Sequence, residues 1–240
     1  MAGASTPDAA EWREWRHVTK LDPDKALPDG VTYADVCETG TDAVVVGGTT
    51  GVTIDDATEI AHTCREHDVP VYQEPNTPAV VVDADAVDGY LVPTVLNAGD
   101  PFWIVGAHKE GVKLYPEHDW DRTWTEAYVV LNPEATVASY TDADCEQDPE
   151  DVAAYFRVAE RLFGQEICYL EYSGTFGDPA VVEAAAAAVE DATVFYGGGI
   201  HGYEESRTMA AHADVVVVGN ALYGDGLAAL ERTVDGARDG

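Results

Sequence analysis

The chain has 240 residues, 46% of them hydrophobic, and sets 45 acidic residues against 13 basic ones for a formal net charge of −32. Such a charge excludes nucleic acid as a partner, and at low salt it repels anionic membranes and phosphorylated ligands. No uncharged apolar run reaches the length of a membrane span, and the start M-A-G-A-S-T-P-D lacks the basic flank and apolar core of a secretion signal, so a cytoplasmic protein is expected. The acidic residues are spread along the whole chain, and lysine is confined to Lys20, Lys25, Lys109 and Lys113. This pattern suits molar salt, where the screening length shrinks to about 3 Å. Cys37, Cys64, Cys145 and Cys168 show no CxxC spacing, and no histidine is placed to complete a zinc set.

Taken in chain order, A-A-E-W-R-E-W-R (9–16) reads as a short helix that would cover one end of the fold. Apolar, β-branched strands are expected at 17–21, 42–48, 69–74, 89–96, 126–132, 167–172, 193–198 and 214–219. Helical patterns fall between them at 32–39, 53–67, 100–115, 149–163, 179–190, 203–212 and 221–236. Several strands are apolar on both faces, as buried parallel strands must be. Eight strands alternating with helices predict a single (β/α)8 barrel over 1–240, a TIM-type fold, with an N-terminal extension of about fifteen residues. One interval breaks the alternation. Between the third and fourth strands, P-N-T-P-A-V-V-V-D-A-D-A-V-D has two prolines and a β-branched run, so the third helix should be replaced by an extended segment or loop.

Barrel enzymes build their sites at the C-terminal ends of the strands. The last two strands end in Gly197, Gly198 and Gly199 and in Gly219 and Asn220. Backbone N–H groups can approach a ligand closely at such glycines, and the helix that follows favours an anion. Phosphate sites after strands seven and eight recur in this fold. On strand six, Tyr169, Glu171 and Ser173 share one face, which should line the mouth, and Leu170 and Tyr172 share the other. Ser173 and Gly174 can extend the phosphate site, and Glu171 can bind a substrate hydroxyl or take its proton. On strand one, Lys20 supplies positive charge for a phosphate, and Asp22 is a hard oxygen ligand for Mg2+ that Thr49 could assist. D-D-A-T-E (55–59) imitates an aspartate-rich diphosphate motif but lies in an ordinary acidic helix, and G-G-G-I-H-G does not fit the dinucleotide fingerprint.

These segments resemble the geranylgeranylglyceryl phosphate synthase family of archaea: T-K-L-D-P (19–23), G-T-D-A-V-V-V-G-G-T (40–49), Y-L-E-Y-S-G-T-F-G-D-P (169–179), Y-G-G-G-I (196–200) and V-V-V-G-N (216–220). The E-Y-S-G form is similar to the family's first group. The resemblance implies transfer of a geranylgeranyl group from its diphosphate to the 3-hydroxyl of sn-glycerol 1-phosphate, the first ether bond of archaeal membrane lipids. By the same resemblance, Lys20, Tyr169, Leu170, Glu171, Tyr172, Ser173, Gly174, Gly198, Gly199, Gly219 and Asn220 contact glycerol phosphate. Glu171 is the expected catalytic base, with Asp22 and Thr49 on Mg2+. The first-group resemblance implies a homodimer, and because the product is lipidic while the surface is strongly acidic, any membrane contact is expected to be peripheral and local. The prenyl tail needs an apolar groove, for which Phe102, Trp103 and Tyr128 are candidates. A phosphosugar isomerase or lyase, an FMN-dependent oxidoreductase, or a non-catalytic phosphate-binding module would use the same glycine loops.

Overall fold

The computed structural model describes residues 11–240. Eight parallel strands close into a barrel in the order β1 to β8, each paired with its sequence neighbours and β1 closing on β8. They are β1 (His17–Leu21), β2 (Ala43–Val46), β3 (Val71–Gln73), β4 (Gly89–Val95), β5 (Thr123–Val130), β6 (Ile167–Glu171), β7 (Thr193–Gly197) and β8 (Val215–Val218). Alternation divides the core in two. Val44, Val46, Leu170 and Tyr196 point outward into an apolar layer beneath the helices, while Val45, Tyr72, Tyr128, Tyr169 and Phe195 fill the interior. Each fully buried Val or Leu contributes roughly 1.5–3 kcal/mol.

The N-terminal stretch enters as a 3-10 turn, Glu11–Glu14, and lays Trp12 and Trp15 across the bottom. Trp15 meets Tyr72 edge to face at 5.0 Å, and Trp12 meets Trp124 at 6.4 Å. The interior is therefore closed below and opens only at the C-terminal ends of the strands. Residues 9 and 10 of the expected helix lie outside the described region.

The helices are α1 (Tyr33–Cys37), α2 (Ile54–Cys64), α3 (Gly106–Leu114), α4 (Thr136–Thr141), α5 (Pro149–Val158), α6 (Pro179–Ala186), α7 (Tyr203–Ala210), α8 (Asn220–Asp225) and α9 (Leu227–Asp239). No helix among the described residues is long and apolar enough to cross a membrane. Two expected helices are interrupted, and a third changes pitch in its last turn. The one at 100–115 divides into a 3-10 turn, Pro101–Trp103, and α3. The one at 149–163 ends in a π-helical turn, Ala159–Phe163, stopped by Gly164 in a left-handed conformation. The one at 221–236 breaks at Gly226, where φ is 83°. The unforeseen α4 is a short helix whose two threonines and serine are weak helix formers, and it stops at Asp142 with φ 52°.

The interval after β3 holds only a 3-10 turn at Pro78–Val80, as its prolines require. The wall is altered there. β3 pairs with β4 only at Gly89 and Tyr90, whereas β4 pairs with β5 along Tyr90 to Val95. The upper half of β4 thus has an open edge facing β3. The Leu96 N–H donates to the Tyr128 carbonyl at 2.8 Å, so by alternation positions 91, 93 and 95 turn their backbone toward the open edge. Pro93, which has no N–H to leave unpaired, occupies the middle one, and its carbonyl accepts from His108 Nε2 of α3 at 3.1 Å.

Candidate active site

Two connected cavities occupy the mouth. The first, about 390 Å³, lies over β6, β7, β8 and β1 and is lined by the glycine loops. The second, about 300 Å³, leaves through the open edge above β3 and runs between residues 75–81 and α3 toward Tyr90, His118 and Trp120. Lys20, Gly48, Thr49, Glu171 and Ser173 line both.

The first cavity is polar because its strands hand over to helices through short loops. Gly197, Gly198, Gly199, Gly219 and Asn220 all line it. Gly199 has φ 60°, and a Cβ there would strike the backbone of Phe176 in the loop after β6. Only glycine lets these two loops touch. Tyr196 ties them further, accepting from the Gly177 N–H at 2.8 Å and donating to the Gly198 carbonyl at 2.9 Å. Neither α7 nor α8 has a side chain capping its N-terminus, so first-turn N–H groups remain available to an anion. Lys25 adds a cation the sequence reading did not select: it lines this cavity and reaches Asn220 Oδ1 at 3.4 Å and Asp22 Oδ2 at 3.3 Å.

Glu171 sits where the cavities meet, 2% exposed at the end of β6. One carboxylate oxygen accepts from Tyr128 Oη at 2.6 Å, and the other from the Ser173 backbone N–H. Tyr128 is held by stacking on Tyr169, centroids 4.4 Å apart. Burial, then the charge of Glu171, pushes both phenols well above their ordinary range, so both remain donors. Each carboxylate oxygen has a second lone-pair site, which leaves Glu171 able to accept from a ligand hydroxyl. Asn132, after β5, donates to the Ser173 carbonyl at 2.6 Å and fixes that loop.

Lys20 faces the same junction and pairs with Glu74 at 2.6 Å. Burial pulls its ammonium down, but the charges of Glu74, Glu171 and Glu126 outweigh that and hold it above its ordinary value. Glu126 lies on the inner face of β5, 1% exposed, and its Oε2 has no hydrogen-bond partner. Burial, then the charge of Glu74, pushes its carboxyl well above the usual range. Neither Glu74 nor Glu126 stood out in the sequence. Glu74 was legible, since V-Y-Q-E places it on the same face as Tyr72; Glu126 lay at the very edge of its expected strand.

Most candidates converge on the mouth: Lys20, Asp22, Thr49, Tyr169, Glu171, Ser173, Gly174, Gly198, Gly199, Gly219 and Asn220 line one cavity. Leu170 and Tyr172 do not. Strand alternation turns them outward, Leu170 fully into the layer under the helices and Tyr172 against Tyr196 at 5.9 Å. Trp103 and Tyr128 line the groove, whereas Phe102 stands outside it, 41% exposed against Trp103. Asp22 and Thr49 share the first cavity, and Gly48 leaves room for the Asp22 carboxylate beside it. No cluster of three or more acidic, histidine or cysteine side chains able to cage a metal occurs among the described residues. One carboxylate and one hydroxyl suit Mg2+ only as part of a set completed by water and ligand phosphates.

Residues 10–237 match the model of the PcrB family. The chain belongs to the PcrB family. It is 59% identical over 230 residues to a geranylgeranylglyceryl phosphate synthase of Halobacterium salinarum, covering 96% of this chain and 97% of that one. It is 48% identical over 218 residues to a heptaprenylglyceryl phosphate synthase of Geobacillus kaustophilus, covering 89% and 88%. Among solved structures, it superposes at a TM-score of 0.83 on the (S)-3-O-geranylgeranylglyceryl phosphate synthase of Thermoplasma acidophilum in complex with sn-glycerol-1-phosphate, at 23% identity, covering 99% and 100%. At that identity the last match speaks for the barrel alone.

Proposed function

We propose that this PcrB-family chain joins a geranylgeranyl group to the 3-hydroxyl of sn-glycerol 1-phosphate, releasing diphosphate. The observation that carries this reading is Glu171, held at the one place where a polar, phosphate-suited cavity meets an apolar groove. An isomerase, a lyase or a flavin enzyme has no use for the groove, and a mere phosphate-binding module has none for the buried carboxylate.

The phosphate of glycerol phosphate lies against the Gly198–Gly199 and Gly219–Asn220 loops, with Ser173 and Lys25 nearby. Glu171 takes the 3-hydroxyl and orients its oxygen toward C1 of the prenyl donor. The C1–O bond to diphosphate breaks with its electron pair on the leaving group, the glycerol oxygen bonds to C1, and the hydroxyl proton passes to Glu171. Tyr128 and the Ser173 N–H fix the carboxylate in place. Lys20 balances the gathering negative charge. Asp22 and Thr49 would hold Mg2+, which supplies charge stabilisation for the departing diphosphate. The prenyl tail lies in the groove between residues 75–81 and α3.

The test is a product assay in molar KCl with Mg2+, sn-glycerol 1-phosphate and geranylgeranyl diphosphate, read by mass spectrometry of the organic extract. A phosphorylated monoether that vanishes with EDTA is expected. No product from folded protein, with the C20 or a longer donor, would remove the prenyl transfer.

A further inference from the structure

Ten large apolar side chains stand exposed among the described residues, and six of them belong to the elements around the groove: Val112 and Leu114 on α3, Phe102, Val105 and Trp120 in the turns that flank it, and Tyr140 on α4. Val105 is 63% exposed and Leu114 59%. The patch is continuous with the groove, because Val112, Trp120 and Tyr140 also line the cavity. Its charge is equally unusual. In a chain of net charge −32 with four lysines, two of them, Lys109 and Lys113, lie on α3, whose only acidic residue is Glu110. Every other described helix of eight or more residues carries more acidic than basic side chains. Glu110 pairs with both lysines, at 2.7 and 3.0 Å, yet these remain about two-thirds exposed.

We propose that this rim, α3 with the turns that flank it, docks on the surface of a lipid bilayer, so that the groove opens directly into the acyl layer. This rests on the reading above that the donor carries a long prenyl tail. Such a tail and its ether product reside in membrane rather than in water, and a groove mouth seated at the interface lets either pass without crossing an aqueous layer. Molar salt makes the arrangement workable. With a screening length of about 3 Å, the distant acidic surface is hidden, and only the charges at the contact matter. Those are Lys109 and Lys113 together with Asp100, Glu110, Glu117, Asp119 and Asp121. The contact is therefore carried mainly by the apolar side chains, with the aliphatic stems of the lysines lying along the apolar surface and their ammonium groups at the headgroups. A second copy of the chain fits the rim less well. A two-fold contact would set α3 against α3, lysines facing lysines, and would cover the opening through which the tail must pass.

The test is flotation with vesicles of two parts diphytanylphosphatidylcholine to one part diphytanylphosphatidylglycerol in molar KCl. Wild-type protein is expected to float with the vesicles. The double variant Val105→Asp/Leu114→Asp should lose at least about tenfold in partitioning. The control Leu162→Asp/Phe163→Asp changes two exposed apolar residues on the π-helical turn and should bind like wild type. With donor dispersed in detergent the α3 variant should turn over normally; with donor embedded in vesicles it should slow in step with its lost binding. Wild type that stays in the aqueous phase, an α3 variant that floats as before, or a control that loses binding equally would each overturn the proposal. So would a variant that changes from dimer to monomer by light scattering, which would give the rim to a second copy. If wild type makes no ether in detergent, the reaction assigned above fails independently of docking.

Discussion

On the β6–β8 side of the mouth, each strand hands over to its helix within a few glycine-rich residues, and Gly199 and Tyr196 lock adjacent loops together. On the β3–β4 side the chain runs from Gln73 to Gly89 with one 3-10 turn, and the wall is split. One half of the site is made by bringing backbone close; the other is made by leaving a helix out. The first gives a compact polar pocket for a small anion and the second a long apolar trough, and Glu171 and Lys20 stand on the seam.

The seam itself should be most sensitive. Glu171→Gln should lower kcat/KM by about 10²–10⁴, with little change in melting temperature. A variant with wild-type turnover would remove the base assigned here. Next is the ion pair beneath it. Lys20→Met leaves the Glu74 carboxylate buried without its partner, and breaking such a pair costs about 3–5 kcal/mol. Adding Glu74→Gln should recover most of that stability in chemical denaturation but none of the activity, because Lys20 also faces the anions; full recovery of both would make the pair purely structural.

Smaller changes should separate the two halves. Gly111 faces Pro78 across the groove at 3.8 Å from where its Cβ would lie. Gly111→Leu should narrow the trough and raise KM for the prenyl donor by about tenfold, leaving glycerol phosphate affinity unchanged. Asn220→Ala should do the reverse. If either variant moves both constants together, the halves are not independent.

The mildest test is one of stability. The folded pKa of Glu126 is raised, so its contribution is fully present below the unfolded carboxyl's value of about 4.3 and is lost as pH rises toward the folded value. Glu126→Gln removes that loss. The variant should match wild type in chemical denaturation near pH 4 and be more stable than wild type at pH 8. A deficit that grows with pH would mean that the carboxylate is charged and paired in the fold.

The barrel was legible in the sequence because its strands are runs such as D-V-V-V-V-G, apolar on both faces and bounded by glycine. The missing helix was legible from Pro75 and Pro78. Glu171 was legible because a charge at the end of a buried strand demands a reason. The break at Gly226 was not, since it looks no different from a glycine a helix tolerates, and α4 has no periodic apolar face. Leu170 and Tyr172 entered the site through the resemblance, while strand alternation turns their side chains away from the cavity. Glu126 escaped because 45 acidic residues hide a buried one at the edge of its expected strand, whereas Glu74 was within reach of strand alternation, which sets it on the face of Tyr72.

Pro93 has a meaning beyond the groove it borders. An unpaired strand edge is a template on which another strand can add, and a barrel normally escapes this by having no edge. Here the wall is opened along β4, and the exposed ladder would invite either the chain's own 75–88 segment or a neighbour's strand to zip in and close it. Pro93 withholds a donor in the middle of that ladder and His108 occupies its acceptor. The barrel can thus stay open at one seam without becoming a seed for aggregation.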